Sequence, residues 1–400
     1  MRILHIEEFF HPDAGYQVNM LSRLQVAEGH HVTVIAAELE KMPSTLTTFF
    51  GKSDIAQRDA EFTKSTGAEI IRIPLLGYYS GRAIFHPAVF KRVAAARPDV
   101  VLVHSMETLT GIVFVWFSKY FKFPLVLDSH MLEMATRNRF SKWFIMFYRR
   151  FVTPKILRES IPTVRVVDSD YVQKFLGIPL TSTELSSFGT DTAHFSPNAQ
   201  ARVSVRKRHG LSPEAFLVIY AGKLDDAKGA SFLASAIEAR LETKSGRPIQ
   251  FLVIGNSDGA YGTSVEALFA KCRNKLVRLP TQRFFDLAPF YQAADLAVFP
   301  KQCSLSFFEA QSCGLPVLFE ENEINTQRAA FDNAHTFSAG NADDFRTKIV
   351  EFANLSEIKI NEMRVNARNH VLVNYNFVPV ARRMTALLEA RAEAWRKHRQ

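Results

Sequence analysis

A single carboxylate is the most unusual feature of the segment FPKQCSLSFFEAQSCGLPV, residues 299–317. This segment has the pattern of a strand end, a turn, a short helix and a Gly-x-Pro exit, with Glu309 just inside the helix start. In open α/β sheets ligands bind beyond the carboxyl ends of strands, where an acid can accept hydrogen bonds from a ribose. A capping box, in which Glu309 bonds back to the Ser306 N–H, explains the same spacing. Both interpretations remain open on position alone.

Two lysines follow another strand-like run. The sequence AGKLDDAKGA places Gly222 and Lys223 directly after the strand and Lys228 at the next helix start. Both ammonium groups could therefore meet one diphosphate, although solvated turn lysines explain the pattern equally well. Gly15, in HPDAGYQ, follows the first strand and precedes a helix whose free N–H groups could face a phosphate. A turn glycine is the simpler explanation for Gly15.

His104 and His130 each follow a strand-like run, in VVLVHS and LVLDSH. One histidine after a strand is usually structural, but two at successive strand ends favour the lining of a site. The D-x-D sequence at residues 168–170 could hold a divalent cation, yet helix N-capping by Asp168 or Ser169 explains it. The three cysteines lack Cys-x-x-Cys spacing and indicate neither a zinc site nor a disulfide framework. We therefore expect no metal.

Strand-like and helical patterns alternate along the chain, as parallel sheets require. The second half restarts this alternation at FLVIYAGKL and ends in a helix over residues 377–400. A polar, Gly- and Pro-containing join lies at residues 186–197. We predict an α/β fold of two doubly wound domains, residues 1–190 with helix 377–400, and residues 191–376. The strands predicted in the first domain cover residues 3–6, 31–36, 69–73, 100–103, 125–127 and 164–167.

The composition agrees with two globular domains, because 400 residues with 47% apolar content exceed what one core normally serves. A net charge of +9 suits an anionic ligand, a nucleic acid or an anionic membrane. Residues 110–128 are the most apolar stretch, but Lys119, Lys122 and Pro124 interrupt it. We expect no spanning helix. The first residues, MRILHIEEFF, are a poor signal peptide, so we expect a cytoplasmic protein.

Residues 137–158 form a basic aromatic pattern, with seven Lys or Arg and no acid. Phe140, Phe144, Phe147 and Phe151 share one helical face, and Pro154 is expected to end or kink the helix. Such a helix can lie in a membrane interface. Packing of the stripe against the core explains the pattern equally well, whereas nucleic-acid binding is disfavoured because no nucleic-acid module is visible.

The motifs together resemble the retaining glycosyltransferases of family 4, which have the two-domain GT-B fold. GTDTAHFSP is similar to the family's G-V-D-x-x-x-F-x-P linker, AGKLDDAKG to its G-R-L-x-x-x-K-G, and FFEAQSCGLPV to its L-L-E-A-M-A-C-G-L-P-V. The resemblance covers nearly the whole chain. It implies two Rossmann-like domains facing across a cleft, a donor held mostly by the second domain, and a terminal helix that crosses back to the first.

The resemblance also implies roles for individual residues. Glu309 would hold the ribose and His130 would face the donor sugar, while Lys223 and Lys228 would bind the diphosphate and stabilise its charge as the glycosidic bond breaks. No metal ion or other cofactor is then needed. Gly222 would lie at the same nucleotide, Gly15 would close over the diphosphate, and the base would lie near residues 278–280, at Leu279.

One departure from the family pattern concerns the donor sugar. The family has a second glutamate eight positions before Glu309, but Lys301 occupies that position here. The sugar must be held differently, and the candidates are Gln302, Ser304 and the backbone N–H groups up to Leu305. Lys223 also replaces the usual arginine, which removes a bidentate fork and keeps the charge.

The resemblance implies a retaining hexosyl- or N-acetylhexosaminyl-transferase that uses a nucleotide-diphosphate sugar. The acceptor would be a glycan or lipid-linked saccharide in the synthesis of a surface polysaccharide, such as lipopolysaccharide, or of a glycolipid. The enzyme would be cytoplasmic, and residues 137–158 would place it at the inner face of the plasma membrane. A non-catalytic nucleotide-sugar-binding subunit and a nucleotide-sugar epimerase of the same fold are the alternatives.

Overall fold

The computed structural model describes residues 1–39, 54–79, 82–131, 140–301, 306–329 and 331–397. The described chain divides into two compact units. Unit 1 contains the described residues of 1–188 and the carboxyl-terminal segment from Phe377 onward. Unit 2 contains Gly189–Asn376. The division at Phe188 lies inside the polar join at residues 186–197.

Unit 1 is built on a seven-stranded parallel sheet. Its strands are β1 Arg2–Glu7, β2 His31–Ala37, β3 Glu69–Ile73, β6 Val100–Val103, β7 Leu125–Ser129, β8 Thr163–Arg165 and β9 Thr183–Leu185, and a separate antiparallel hairpin pairs β4 Leu75–Tyr79 with β5 Arg82–Phe85. The order in the sheet is β3-β2-β1-β6-β7-β8-β9. The helices are α1 Gln17–Ala27, α2 Ile55–Thr66, α3 Ala88–Ala96, α4 Leu109–Phe117, α5 Ser141–Phe147, α6 Thr153–Arg158 and α7 Tyr171–Lys174.

The apolar runs of the sequence become central strands because helices cover both faces of a parallel sheet. All four residues of β6 are buried, and so are all five of β7. Asp128 is the charged exception within β7, and it is fully buried. A charge in such a strand requires polar partners.

Unit 2 repeats the architecture with six parallel strands in the order β12-β11-β10-β13-β14-β15. The strands are β10 Phe216–Ala221, β11 Ile249–Ile254, β12 Lys275–Leu279, β13 Leu296–Phe299, β14 Val317–Glu320 and β15 Ala334–Phe337. The helices are α8 Ala199–Arg208, α9 Ala230–Ala236, α10 Gly259–Phe269, α11 Ala288–Ala293, α12 Phe307–Ser312, α13 Glu323–Arg328, α14 Ala342–Ala353 and α15 Glu357–Asn374. This is the Rossmann strand order.

A buried carboxylate fastens the start of β13 to two helices of unit 2. Asp295 accepts hydrogen bonds from Arg202 at 2.8 Å, Arg206 at 2.7 Å and Arg364 at 2.8 Å. Burial opposes ionisation of Asp295, but the arginine charges hold its pKa below the usual range. The carboxylate therefore remains charged inside the fold and orients β13.

The last helix, α16 Phe377–Lys397, belongs to unit 1. Arg382 pairs with Glu28 at 2.8 Å, and the Gln25 amide donates to the Thr385 hydroxyl at 3.3 Å. These contacts place α16 against α1 and against Glu28, which directly follows α1. The described part of the terminal helix thus packs on the first helix of unit 1.

Residues 140–158 form one helical rod in which Tyr148–Val152 makes a π-helical turn between α5 and α6. Pro154 is the second residue of α6 and directly follows the π-helical turn, so of the predicted end or kink at this proline the end does not occur. The rod buries Tyr148, Val152 and Ile156. The phenylalanine stripe mostly faces outward instead, with Phe140 56% and Phe151 50% exposed.

The exposed side of this rod continues onto the neighbouring helix α4. Trp116 stacks on Phe147 with ring centroids 6.3 Å apart, and the short 3-10 helix Ser118–Tyr120 extends the surface. We call this surface the apolar face; it comprises the exposed residues Trp116, Phe117, Tyr120, Phe140, Trp143, Met146, Phe147 and Phe151. None of the described helices combines the length and hydropathy needed to cross a membrane.

Candidate functional site

Each sheet has one point at which the strand order reverses, between β1 and β6 in unit 1 and between β10 and β13 in unit 2. Ligands in open α/β sheets bind at the carboxyl ends of the strands beside such a point. The segment after β10 contains Gly222 and Lys223, and the segment after β13 contains Lys301 and leads to Glu309. Gly222 and Lys223 therefore lie at the topological switch point of unit 2, and Glu309 lies in the helix after β13.

The two lysines after β10, Lys223 and Lys228, lie in different environments. The Tyr220 hydroxyl donates to the Lys223 carbonyl at 2.6 Å, and burial lowers the pKa of the Lys223 ammonium, which Asp225 partly opposes. Lys228 ends a short 3-10 helix, and its backbone N–H donates to Asp225 Oδ1 at 2.9 Å. Helix α9 starts two residues later, as predicted. A half-buried ammonium beside a switch point suits an anionic ligand better than an exposed turn lysine would.

Glu309 is the third residue of α12 and is buried, with 6% exposure. Burial raises the pKa of its carboxyl to about 8, while the Thr190 hydroxyl and a backbone N–H favour the ionised form less strongly. Ser306 has helical backbone angles and its side chain makes no cap hydrogen bond. The Ser306 side chain therefore does not supply the reciprocal bond that a capping box requires.

Buried phenols connect the Glu309 environment with the end of β10. The pKa of Tyr291 is raised well above its usual value, first by burial and then by the Glu309 charge, with a smaller effect of Tyr220. Tyr220 in turn bonds the Lys223 carbonyl. The Glu309 charge therefore acts on Tyr291, and Tyr220 bonds the loop that carries Lys223.

Glycines allow the loops at these strand ends to approach closely. A Cβ added to Gly255, after β11, would lie 2.0 Å from the Gly222 carbonyl oxygen, so a side chain is excluded there. The Gly255 N–H donates to the Leu279 carbonyl at 3.0 Å. Gly222 and Leu279 are therefore brought together through Gly255. The end of β12 at Leu279 is also where the base was predicted to bind.

Lys301 occupies the position of the missing family glutamate and pairs with Asp226 at 3.6 Å. Gly229 has a φ of 74°, and a Cβ added to it would lie 2.9 Å from the Cβ of Lys301. The loops after β10 and β13 are therefore in contact. The other predicted sugar contacts, Gln302, Ser304 and Leu305, lie outside the described residues.

In unit 1, a chain of polar side chains runs beneath the carboxyl ends of the central strands. The His5 and His104 rings approach within 3.0 Å between Nδ1 and Nε2, and His104 Nδ1 lies 2.6 Å from Asp128 Oδ2. His130 Nε2 lies 3.0 Å from Asp128 Oδ1. On the other side, His5 Nε2 lies 2.7 Å from the Gln25 amide oxygen. His104 and His130 therefore meet at one carboxylate.

The pKa values of these connected side chains are shifted, and each shift has a physical cause. Burial opposes the ionised form of Asp128, but the His130 and His104 charges and their hydrogen bonds hold the pKa of Asp128 far below its usual range. Burial also opposes the charged form of His130, but Asp128 raises the pKa of His130 to about 9. Burial lowers the pKa of His5 to about 3. His130, with 25% of its side chain exposed, is thus a cation at neutral pH.

His104, Asp128 and His130 also have the residue types of a metal site, and their ligand atoms lie within 4.8 Å of one another. The 2.6 Å separation between His104 and Asp128 is that of a charged hydrogen bond. Two ligands on a tetrahedral ion with bonds of about 2.0 Å would lie roughly 3.3 Å apart. In this structure the His104 imidazole and the Asp128 carboxylate are in direct hydrogen-bond contact.

The D-x-D sequence has a structural explanation different from the predicted one. Asp170 occupies the N-cap position of α7, so neither Asp168 nor Ser169 is the N-cap residue, and the Asp170 side chain makes no cap hydrogen bond. Asp168 pairs instead with Arg165 at 3.1 Å and is exposed. Gly15 lies two residues before α1, as predicted, and Tyr16 precedes that helix without a side-chain cap bond.

Sequence reasoning missed His5, Gln25, Asp128 and Glu107. Ser129 donates to the buried Glu107 carboxyl, whose pKa is raised by burial. A signal existed for Asp128, because a charged residue inside an apolar strand needs a partner. His5 and Gln25 gave no such signal, since their pairing depends on the contact between β1, β6 and α1.

Comparison with known proteins agrees with this geometry. Residues 14–169 match the family described as "Glycosyl transferase 4-like domain", and residues 215–354 match "Glycosyl transferases group 1". Together these matches cover both units. The chain belongs to the family 4-like glycosyltransferases, and its fold is GT-B.

A curated relative is the D-inositol 3-phosphate glycosyltransferase of Pseudarthrobacter chlorophenolicus, with 24% identity over 57% of this chain. The match spans about half the length of that relative, 56%. The structure of Anabaena HepE in complex with UDP and glucose has a TM-score of 0.73 at 15% identity, covering 98% of this chain and all of that one. WaaG, a glycosyltransferase involved in lipopolysaccharide biosynthesis, has a TM-score of 0.66 at 16% identity, covering 96% and 99%.

Proposed function

We propose that this protein is a retaining glycosyltransferase that moves a hexose or N-acetylhexosamine from a nucleotide-diphosphate sugar. The observation that carries the proposal is the buried Glu309 carboxyl in the helix that follows β13, beside the switch point of unit 2. Burial raises the pKa of this carboxyl to about 8, so its ionised form destabilises the ligand-free fold. Side chains with such strongly shifted pKa values are concentrated at functional sites. The two hydroxyls of a ribose supply hydrogen bonds that stabilise the ionised carboxylate.

Departure of the nucleoside diphosphate requires stabilisation of its developing charge. Lys223 and Lys228, which both follow β10, supply two ammonium groups for this purpose without a metal ion. Gly222 and Gly255 keep the backbone small where the diphosphate would approach. In the retaining reaction the acceptor hydroxyl reaches the face that the phosphate leaves, and the phosphate itself takes the proton.

His130 is proposed to hold the transferred sugar through its imidazolium. The Asp128 carboxylate lies 3.0 Å from His130 Nε2 and keeps the ring charged, so the Nδ1 side of the ring can donate to a sugar hydroxyl. Lys301, engaged with Asp226, does not replace the missing glutamate as an acceptor. The proposed acceptor is a glycan or lipid-linked saccharide, whereas the curated relatives are named for D-inositol 3-phosphate.

Calorimetric titration of UDP, GDP, ADP and CMP tests the nucleotide site. One diphosphate is expected to bind the wild-type protein, and Glu309→Gln should weaken it by roughly 1.5 to 3 kcal/mol, or about one to two decades. Glu321→Gln, an exposed carboxylate of the same unit, is the matched control and should bind normally. Binding to Glu309→Gln with unchanged affinity would remove Glu309 from the site.

Product analysis then separates transfer from the alternatives. A transferase forms a new glycoside only when acceptor is present, whereas an epimerase converts the donor alone. A binding subunit turns over neither. Retention follows from the anomeric configuration of the product, and an inverted product contradicts the proposed mechanism.

We also propose that unit 1 contacts an anionic membrane surface through the apolar face, which would place a cytoplasmic enzyme at the inner leaflet. Trp143 is 69% exposed, and the exposed cations Lys142, Arg149 and Arg150 lie on the same helical rod. Exposed aromatic rings flanked by cations suit a lipid interface. Trp143→Glu with Phe147→Glu should abolish co-sedimentation with phosphatidylglycerol vesicles, and Val203→Glu, an exposed apolar residue of unit 2, should not.

A further inference from the structure

Unit 1 contains a cavity of about 980 Å³ that none of the proposed catalytic residues lines. Its walls are formed by α3, by the end of α4 with the following 3-10 helix, and by the segments that lead into β1, β6 and β7. Arg2 is the first residue of β1, Asp99 precedes β6 and Phe123 precedes β7. The cavity therefore lies at the amino ends of the strands. We call it the end pocket.

The end pocket is far from the histidine chain because the two lie at opposite ends of the same strands. β1 has six residues, which corresponds to about 20 Å at roughly 3.3 Å per residue. A ligand in the end pocket is consequently not in contact with His130. Its volume is at the upper end of the about 300 to 1,000 Å³ typical of small-molecule sites.

Aromatic and aliphatic side chains form most of the lining. Phe90 packs against Phe117 and Phe121 with centroid distances of 5.9 and 6.1 Å, and Phe121 stacks on Phe123 at 4.9 Å. Tyr120, which also lines the pocket, is 68% exposed. These rings leave an open apolar surface that water solvates poorly.

The charges at the end pocket are mostly positive. Arg2, Arg97 and Lys122 line it, and Asp99 is the one acid among its lining residues. The Asp99 carboxylate already accepts the Arg2 backbone N–H at 2.7 Å. An apolar cavity with a surplus of cations matches an amphiphile whose head is anionic.

The end pocket is continuous with the apolar face, since Phe117 and Tyr120 belong to both. We infer that the end pocket binds an acyl chain of an anionic phospholipid, with the phosphate held by Arg97 and Lys122. This inference rests on the membrane contact proposed for unit 1, and it adds a site that holds one lipid molecule. The lipid would anchor unit 1 and take no part in sugar transfer.

A soluble short-chain lipid tests the site without a membrane. Dihexanoylphosphatidylglycerol, titrated calorimetrically below its micelle concentration, is expected to bind with one site per chain. Glycerol 3-phosphate, which lacks the chains, should not bind, and dihexanoylphosphatidylcholine should bind several-fold more weakly. Absence of saturable binding by the anionic lipid overturns the inference.

Two pairs of variants locate the binding. Ala94 and Ala95 are both exposed on α3, but only Ala94 lines the pocket. Ala94→Trp should fill the cavity and weaken the lipid by at least about tenfold, while Ala95→Trp should leave it unchanged. Lys122→Glu should weaken the anionic lipid selectively, with the exposed Lys91→Glu as its control.

The outcomes distinguish this inference from the membrane proposal. Equal binding by Ala94→Trp and Ala95→Trp, with circular dichroism like that of the wild type, places the lipid elsewhere and refutes the end pocket. If Ala94→Trp is misfolded, the Lys122→Glu and Lys91→Glu pair decides, and equal binding by these two refutes the phosphate contact. If the wild-type protein binds dihexanoylphosphatidylglycerol but does not co-sediment with vesicles, only the proposed membrane contact is refuted.

Discussion

Glu309→Gln is expected to become more stable than the wild-type protein as the pH rises. Burial raises the pKa of Glu309 to about 8 from an ordinary value of 4.5. The folded protein therefore holds this proton more tightly than the unfolded chain does. The stability that this group contributes is fully present below about pH 4.5 and is lost as the pH rises through about 8. Glutamine has a similar shape and does not titrate.

The size of the effect follows from the two pKa values. With about 1.4 kcal/mol per pKa unit, ionisation of Glu309 in the unfolded chain costs the folded protein about 1 kcal/mol at pH 5 and about 4 kcal/mol at pH 8. The stability difference between variant and wild type should thus grow by about 3 kcal/mol over this range. For a unit of this size the corresponding change in Tm is roughly 6 to 12 °C.

Thermal unfolding of the ligand-free protein at intervals from pH 5 to pH 8 measures this difference. Glu321→Gln, which changes an exposed carboxylate of the same unit, should follow the wild type throughout. A Tm difference between Glu309→Gln and wild type that stays constant across the range would show that Glu309 ionises normally. The reasoning from burial would then be refuted, whatever the nucleotide titrations give.

Three further predictions concern other parts of the fold. Asp128→Asn should lower the pKa of His130 from about 9 toward or below its ordinary value, as followed by NMR titration of the imidazole, because the neutral amide no longer stabilises the imidazolium; an unchanged pKa contradicts this. Asp295→Asn should destabilise the protein by about 3 to 5 kcal/mol in denaturant unfolding, since three guanidinium groups lose their carboxylate; a loss below about 1 kcal/mol would contradict it. Gly255→Ala should push the Gly222 loop away and weaken nucleotide binding, and unchanged affinity would contradict this.

Much of the fold could be predicted from sequence because buried parallel strands are continuous apolar runs. Residues 69–73 and 100–103 match β3 and β6 in full. The location of the candidate site in unit 2 could also be predicted from the sequence, since Gly222, Lys223 and Glu309 each follow a predicted strand. The motifs gave the family and the GT-B fold through their order.

Side-chain orientation was less predictable, because it depends on tertiary packing. Helical periodicity groups Phe147 with Phe151 but does not say whether that stripe faces the core; the π-helical turn at residues 148–152 directs Tyr148 inward and leaves both phenylalanines exposed. The Ser306 cap failed for a similar reason, since its backbone is already helical. The His5 partners come from strands and helices distant in sequence, so no local pattern could reveal them.

The position of α16 has a consequence for synthesis on the ribosome. Thr385 accepts the Gln25 amide, and Gln25 meets His5, so the last helix touches the chain of polar groups that ends at His130. All described strands of unit 2 lie within Gly189–Asn376, so they are synthesised before α16. Unit 1, although its translation begins first, can gain the contact between α16 and α1 only after these strands have been made, so its packing is completed after the strands of unit 2 are available.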